Sequence, residues 1–247
     1  MLTHALGLVA AALSVSLSWP QVYKSCVQRR TNGLSATACS LGVAMPLGWI
    51  TYGLLAGQRI QVLTNVATGL TGLAILIALL ATQPRLRTRA ALRVSAGSAG
   101  GVITAALISL GLAALPGVSG HTAAGLLGTL LAAVSFVSAV PQPLALLRDR
   151  HQDLSGLSPL RWRMAAAACA SWMAYGILTG QPAVWASSSV GLVSAAIVCV
   201  VLHVRRERAV VEHSWISEHA WVPEHTWVTR PVWRDTVTTR NLAMAGV

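Results

Sequence analysis

The sequence contains few charged residues, and almost none of them are acidic. Charged side chains make up 10% of the 247 residues, whereas soluble domains usually carry about 25%. Only seven residues are Asp or Glu, against 18 Lys and Arg, and 54% of the chain is hydrophobic. This composition excludes an ordinary soluble domain and predicts an integral membrane protein.

Asp, Glu, Lys and Arg are all absent from five long intervals, 1–23, 31–58, 60–84, 94–147 and 164–204. A helix that spans a bilayer needs about 20 apolar residues, so each of the first three intervals holds one helix. The fourth interval is interrupted by LPGVSGH (115–121) and the fifth by GQP (180–182), so each of these holds two. We predict seven transmembrane helices, at 4–23, 35–57, 60–82, 96–115, 123–147, 163–180 and 183–204.

The predicted spans also lack the residues that most enzymes and proton-coupled transporters need. No Asp or Glu falls within a span, although proton-coupled transporters normally place an ionisable group in their pathway. We find no nucleophile–base set, phosphate-binding loop or metal cluster there, so we predict neither an enzyme nor a cofactor. The four cysteines, Cys26, Cys39, Cys169 and Cys199, form no CxxC pair, which favours packing over redox or metal chemistry.

The positive charge that remains is concentrated in one set of loops. Lys and Arg follow predicted helices one, three, five and seven, and the opposite set of loops contains only Arg59. Because basic loops stay on the cytoplasmic side, we predict a multi-pass plasma-membrane protein with an outside N-terminus and a cytoplasmic C-terminus. The arginines lie in short loops without a recognisable nucleic-acid-binding module, so no nucleic-acid partner is predicted.

An internal repeat relates the two ends of the membrane region. AALSVSLSWPQ (11–21) aligns with AAVSFVSAVPQ (132–142), and GWITYGLLAGQ (48–58) aligns with SWMAYGILTGQ (171–181). A single two-residue insertion in the basic loop reconciles the two alignments. Each repeat holds three helices, and one further helix between them restores the orientation. The layout predicts a parallel repeat about an axis along the membrane normal.

The predicted fold class is therefore all-α integral membrane, with seven transmembrane helices arranged as two parallel three-helix bundles joined by a linker helix. The predicted domains are the first repeat (1–83), the basic loop and linker helix (84–120), the second repeat (121–206) and a cytoplasmic tail (207–247). EHSWIS, EHAWVP and EHTWVT repeat every six residues in the tail from Glu212, a period that suits an extended chain. A disordered tail with tryptophans at the bilayer interface is favoured over a metal site of its repeated histidines.

A Pro-Gln pair ends the first helix of each three-helix unit, at Pro20-Gln21 and at Pro141-Gln142. This pair is the signature of the PQ-loop proteins, and the three-one-three layout resembles the SWEET sugar transporters, whose half-size bacterial relatives are the SemiSWEETs. The resemblance covers about residues 4–204. It implies downhill transport of a mono- or disaccharide by alternating access between the two bundles. Proline kinks a helix because it lacks an N–H, so these four residues are expected to form a hinge and inner gate.

The resemblance also implies where substrate binds. The sugar-binding asparagine of the third helix corresponds to Asn65, and the equivalent position of the second repeat holds Ser188, which departs from the pattern. The second-helix tryptophan corresponds to Trp172 and to its repeat partner Trp49. An amide forms more hydrogen bonds than a hydroxyl, and tryptophan can stack on the apolar face of a sugar. We expect these four side chains to bind a neutral sugar; the alternatives are packing tryptophans and an Asn65 that bonds between helices.

Two other functions remain open at this point. PQ-loop relatives include amino-acid exporters, so the substrate could be an amino acid or another small metabolite, although the missing intramembrane charge argues against a zwitterion. A non-transporting membrane receptor or scaffold has the same architecture. The predicted partners are a small neutral sugar and the lipid bilayer, and self-association is left open.

Overall fold

The structure is a computed structural model that describes residues 1–31, 34–148 and 159–219, and within these ranges every regular element is helical. A π-helical turn (Tyr23–Val27) follows α1, and a 3-10 turn (Pro84–Arg87) precedes α4. The α-helices are α1 (Leu2–Val22), α2 (Ala36–Leu55), α3 (Arg59–Thr82), α4 (Arg89–Ala113), α5 (Gly120–Ala139), α6 (Pro141–Arg148), α7 (Pro159–Leu178) and α8 (Pro182–His219).

Six of these helices are long and apolar enough to cross a membrane: α1 with its π-helical turn, α2, α3, α4, α5 and α8. The prediction of an all-α membrane protein is confirmed at this level. Helix α7 has 20 residues, but Arg161 and Arg163, within its first two turns, lower its apolar content. Its crossing of the membrane therefore remains a prediction, and so does the count of seven spans.

The surface of the bundle is apolar and part of its interior is polar. Leu8, Leu63 and Val137, on three different helices, are 62%, 70% and 71% exposed, whereas Gln61 and Thr64 are buried. Large exposed apolar surfaces are rare on soluble monomers, and polar side chains of a membrane protein turn inward to find partners. The distribution fits a protein whose outer face meets lipid.

In each repeat the third helix contacts the other two helices. In the first repeat α3 contacts both α1 and α2. In the second repeat α8 contacts α5, through a hydrogen bond of 3.0 Å from Ser194 Oγ to the Ala139 oxygen, and α7, where Gly176 lies against Val184. The two halves meet where α1 packs on α7 and α2 packs on α5, and α4 covers α2 and α5. Residues Met1–Val204 form one compact unit, and Arg205–Val247 group separately.

Helices α2 and α7 each end in a turn of the same type, which explains why Gly-Gln occurs at the equivalent place in both repeats. Gly57 and Gly180 adopt φ values of +70° and +65°, a left-handed conformation that glycine adopts without a steric penalty. The N–H of the following glutamine then donates to the helix, from Gln58 to the Gly53 oxygen and from Gln181 to the Gly176 oxygen, at 2.7 and 2.8 Å. This Schellman motif turns the chain directly into α3 or α8.

The halves interlock through a reciprocal glycine–tyrosine contact. A Cβ placed on Gly7 of α1 would lie 3.0 Å from the Tyr175 ring of α7, and one placed on Gly128 of α5 would lie 2.7 Å from the Tyr52 ring of α2. Gly7 and Gly128 are equivalent by the repeat, as are the two tyrosines. Each half therefore supplies the glycine that accommodates the tyrosine of the other half.

The predicted helix 123–147 is wrong in one respect, because the chain forms two helices there. Helix α5 ends at Ala139 and α6 begins at Pro141. Pro141 has no backbone N–H, so the hydrogen-bond pattern of α5 is interrupted there, although Val140 keeps helical dihedral angles (φ −75°, ψ −39°). The Ser194 hydroxyl accommodates the break by donating to the Ala139 oxygen. Helix α1, by contrast, continues through Pro20 to Val22, so the two Pro-Gln pairs have different surroundings.

Two helices extend beyond their predicted ends. Helix α4 begins at Arg89, ahead of the predicted 96, and α8 continues to His219, past the predicted 204. The sequence prediction ended helices at charged residues, although arginine is itself a good helix former. The sequence predicts a disordered tail from 207, whereas the structure is helical as far as His219; the rest of the tail, 220–247, lies outside the described residues.

Candidate functional site

A cavity of about 210 Å³ lies between the two halves. Helices α1, α2 and α3 of the first repeat and α5, α7 and α8 of the second all contribute to its wall. Its lining residues are Ser14, Trp49, Gln61, Thr64, Asn65, Thr68, Ser135, Cys169, Trp172, Val184, Ser187 and Ser188. The wall contains hydroxyls, amides, a thiol, indoles and one aliphatic side chain, and it carries no charged group.

All four residues predicted from the sequence to bind substrate line this cavity. Trp49 and Trp172 come from the second helix of each repeat, and Asn65 and Ser188 from the third. Further lining residues are equivalent across the repeat: Ser14 aligns with Ser135, and Thr64 with Ser187. The cavity is therefore lined by equivalent positions of the two repeats.

The two tryptophans are held in matching positions. Trp49 packs edge-on against Tyr52 with ring centroids 5.4 Å apart, and Trp172 packs against Tyr175 at 5.5 Å. Trp172 Nε1 also donates a hydrogen bond of 3.0 Å to Ser14 Oγ in the other half. These contacts restrict the orientations that the two indole rings can adopt at the cavity.

Polar side chains of α3 that line the cavity, such as Thr64 and Asn65, donate hydrogen bonds to backbone oxygens of the same helix. Thr64 Oγ1 donates to the Ile60 oxygen at 2.7 Å, and Asn65 Nδ2 donates to the Gln61 oxygen at 2.9 Å. Bonds of this kind satisfy polar side chains inside a membrane helix. The hydroxyl oxygen of Thr64 and the Oδ1 oxygen of Asn65 remain able to accept hydrogen bonds. The hydrogen bond that Asn65 Nδ2 donates stays within α3. The alternative considered from the sequence is a bond between helices.

Gln61 is the lining residue that the sequence analysis missed most clearly. It is only 3% exposed and lies one helical turn before Asn65, a spacing that puts both amides on one face of α3. Its Oε1 atom is buried and has no hydrogen-bond partner. The i, i+4 spacing to Asn65 is the signal in the sequence that could have revealed it.

The two sides of the cavity differ in chemistry although they share a backbone. The counterpart of Gln61 in the second repeat is Val184, and the counterpart of Asn65 is Ser188. Both amides of the wall therefore come from α3. The α8 side offers an aliphatic side chain and hydroxyls in the same places.

At the Gly-Gln end of the bundle, which holds the α2–α3 and α7–α8 turns, a hydrogen bond joins the two halves. Tyr175 Oη donates to Gln58 Oε1 at 2.7 Å. Gln181, the repeat equivalent of Gln58, instead donates from Nε2 to Thr179 Oγ1 at 2.7 Å, and its buried Oε1 has no partner. The symmetric pair of glutamines is thus bonded asymmetrically.

The four residues predicted as hinge and gate lie at the other end, termed the Pro-Gln end. Pro20 is exposed within α1, and Gln21 Nε2 donates to the buried Ser25 Oγ at 2.9 Å, within its own chain segment. Pro141 and Gln142 begin α6, and their side chains lie outside the described part of the structure. The structure therefore locates these residues and does not test the gate.

A second hydrogen-bonded cluster at the Pro-Gln end ties the first loop to the end of α3. Gln83 Nε2 donates to the Thr31 oxygen at 2.6 Å, and the hydroxyls of Thr31 and Thr82 lie 2.6 Å apart. Across residues 1–31, 34–148 and 159–219, no group of three His, Cys, Asp or Glu is placed to hold a metal ion.

The fold is similar to that of a solved transporter. A 3.7 Å structure described as a eukaryotic SWEET transporter superposes with a TM-score of 0.66, covering 83% of this chain and 97% of that one, at 16% sequence identity. No protein-family model and no curated protein sequence matches the chain. At this identity the similarity concerns the fold, and it supports the SWEET-like architecture expected from the repeated motifs.

Proposed function

We propose that this protein is a transporter that moves a small neutral sugar down its concentration gradient by alternating access. The observation that carries the proposal is the uncharged cavity between the repeats, lined by paired hydroxyls, two amides and two tryptophans. Hydroxyls and amides are donors and acceptors that match sugar hydroxyls, and indole rings pack on apolar C–H faces. The solved protein with the similar fold is itself described as a SWEET transporter.

The size of the cavity favours a monosaccharide over a disaccharide. Its volume of about 210 Å³ lies below the range of roughly 300–1,000 Å³ that is usual for drug-sized ligands. Transport also requires the halves to separate at each end in turn. The Tyr175–Gln58 hydrogen bond, which joins the halves at the Gly-Gln end, is a contact that such a cycle would break and remake.

We expect proteoliposomes containing the protein to show sugar counterflow. Vesicles loaded with unlabelled D-glucose should transiently accumulate external labelled D-glucose, and sucrose should give a weaker signal. The uptake should be the same with and without a pH gradient, because the spans contain no carboxylate to carry a proton. Protein-free liposomes are the control.

The same assay separates the alternatives. Counterflow of labelled amino acids without that of sugars would identify an amino-acid transporter. If a pH gradient drove uptake of sugar above its external concentration, and a protonophore abolished that uptake, the uncoupled mechanism would be contradicted. A folded protein that gives no counterflow for any sugar or amino acid would contradict the sugar proposal and leave a transporter of another metabolite, or a receptor or scaffold.

The proposed topology has seven spans, including α7, with the Pro-Gln end in the cytoplasm. It predicts that Cys26, which is exposed just after α1, is inaccessible from outside. In a variant that keeps Cys26 as its only cysteine, a membrane-impermeant maleimide should label permeabilised cells and should not label intact ones. Arg59→Cys, at the exposed Gly-Gln end of a cysteine-free chain, is the matched control and should react in intact cells. Labelling of Cys26 in intact cells would reverse the topology.

A further inference from the structure

The α3 wall of the cavity contains a buried amide that the fold leaves without a partner. Gln61 is 3% exposed, lines the cavity, and has an Oε1 atom that accepts no hydrogen bond. A buried polar atom without a partner is costly, and in a membrane interior little water is available to relieve it. The chain could have avoided this cost with an aliphatic side chain, as it does at the equivalent Val184.

The surroundings of Gln61 give it no structural task that requires an amide. Its backbone oxygen accepts the bond from Asn65 Nδ2, and any residue at this position would supply that oxygen. The buried Gln83, at the other end of α3, is different because its Nε2 bonds to Thr31 and ties two segments together. The side-chain amide of Gln61 is therefore best explained by a group that enters the cavity.

We propose that Gln61 is a specificity-determining residue. Its side-chain amide forms a hydrogen bond with one hydroxyl of the transported sugar and so fixes the orientation in which the sugar binds. The proposal rests on the proposed function. A hydroxyl both donates and accepts, so it matches the glutamine amide whichever end of that amide faces the cavity. Gln61 lies about one turn, or about 6 Å along the helix, closer to the Gly-Gln end than Asn65. The two amides can hold neighbouring hydroxyls along one edge of the ring.

The opposite wall makes this orientation unique. A sugar turned by the pseudo-symmetry axis would present the same hydroxyl to Val184, which cannot bond it, and the neighbouring hydroxyl to Ser188 in place of Asn65. The near-symmetric cavity thus binds its ligand asymmetrically, with the hydroxyl-rich edge on α3 and the less polar edge on α8.

The test compares D-glucose with its monodeoxy analogues as competitors of labelled D-glucose counterflow. In the wild type, removal of one particular hydroxyl should weaken competition about tenfold, whereas other positions should matter less. Gln61→Met keeps the length of the side chain and removes the amide. It should bind the parent sugar about tenfold more weakly and should no longer distinguish the parent from that one deoxy analogue, as expected when a cycle removes both partners of one contact. Because the amide is unpaired, the melting temperature of Gln61→Met without ligand should be unchanged or higher.

Several outcomes would overturn the assignment. If each deoxy analogue competes with labelled D-glucose as well on Gln61→Met as on the wild type, the amide is structural, whether or not the variant is less stable. If Gln61→Met does not fold, the wild-type series still decides, because equal effects of all deoxy positions would mean that no single orientation is selected. Absence of sugar counterflow in the wild type would contradict both the proposed function and this assignment. If the wild type shows counterflow and Gln61→Met responds to the deoxy analogues as the wild type does, only the assignment is contradicted.

Discussion

Gly128→Ala is expected to lower the apparent melting temperature of the purified protein by about 2–12 °C. The new methyl group would lie 2.5 Å from Ala183 Cβ and 2.7 Å from the Tyr52 ring, so α5 would have to move away from both α8 and α2. Overpacking of this kind costs about 1–3 kcal/mol. For a chain of this size each kcal/mol corresponds to roughly 2–4 °C. Thermal unfolding in detergent, followed by gel filtration of heated samples, measures the change.

Gly125→Ala provides a matched control on the same helix. A Cβ at this position meets no atom within 4 Å, and alanine is a better helix former than glycine by about 1 kcal/mol. We therefore expect Gly125→Ala to leave the melting temperature unchanged or to raise it. Equal destabilisation by the two substitutions would show that the close packing of α5 at Gly128 is not what stabilises the two halves.

Asn65→Ala is expected to weaken sugar binding about tenfold or more while the protein stays folded. The side chain lines the cavity with Oδ1 able to accept a hydrogen bond, since the Nδ2 bond to the Gln61 oxygen uses only one donor. Loss of one partner from a buried polar contact costs about 1–3 kcal/mol, and 1.4 kcal/mol is tenfold in affinity. Counterflow at a series of sugar concentrations measures the effect.

Substitutions at Ser188 complete this experiment. Ser188→Ala should weaken binding less than Asn65→Ala, because a hydroxyl offers fewer hydrogen bonds than an amide. Ser188→Asn would place an amide on both third helices and should tighten binding of a hexose. Ser189→Ala is the control, since the Ser189 hydroxyl bonds to the Trp185 oxygen and lines a separate apolar groove. If Asn65→Ala transports like the wild type, Asn65 serves only its own helix, and the proposed site is misplaced.

The helical membrane architecture was predictable because a bilayer-spanning helix must be composed almost entirely of uncharged, mostly apolar residues. Charge-free intervals predicted α1, α2 and α3 to within a few residues, since a charged side chain within the span is costly. The same rule failed for the ends of α4 and α8, where helices continue through arginines outside the apolar run. It also failed at Val140, where the break depends on Pro141 and on the Ser194 bond from a distant helix.

The candidate cavity was predictable to the extent that it is symmetric. Trp49 and Trp172 stood out because the repeat aligns them, and the alignment of Ser14 with Ser135 was also available from the sequence. Gln61 could not be found by comparing the repeats, because its counterpart is Val184. Its burial and its unpaired oxygen depend on how α3 is rotated in the bundle, which hydrophobic periodicity does not determine when a helix is apolar on nearly every face.

The reciprocal contact of Gly7 with Tyr175 and of Gly128 with Tyr52 bears on how a duplicated chain can diverge. Each tyrosine fits a glycine that belongs to the other copy, so a change at any of these positions has to be matched in the opposite half. Asn65, by contrast, lines the cavity, and its amide bonds within its own helix, so no residue of the other half constrains it in this way. We infer that duplication separated two roles: the seam between the copies had to keep its shape, while the ligand-facing positions of one copy were left free to acquire a chemistry that the other lacks.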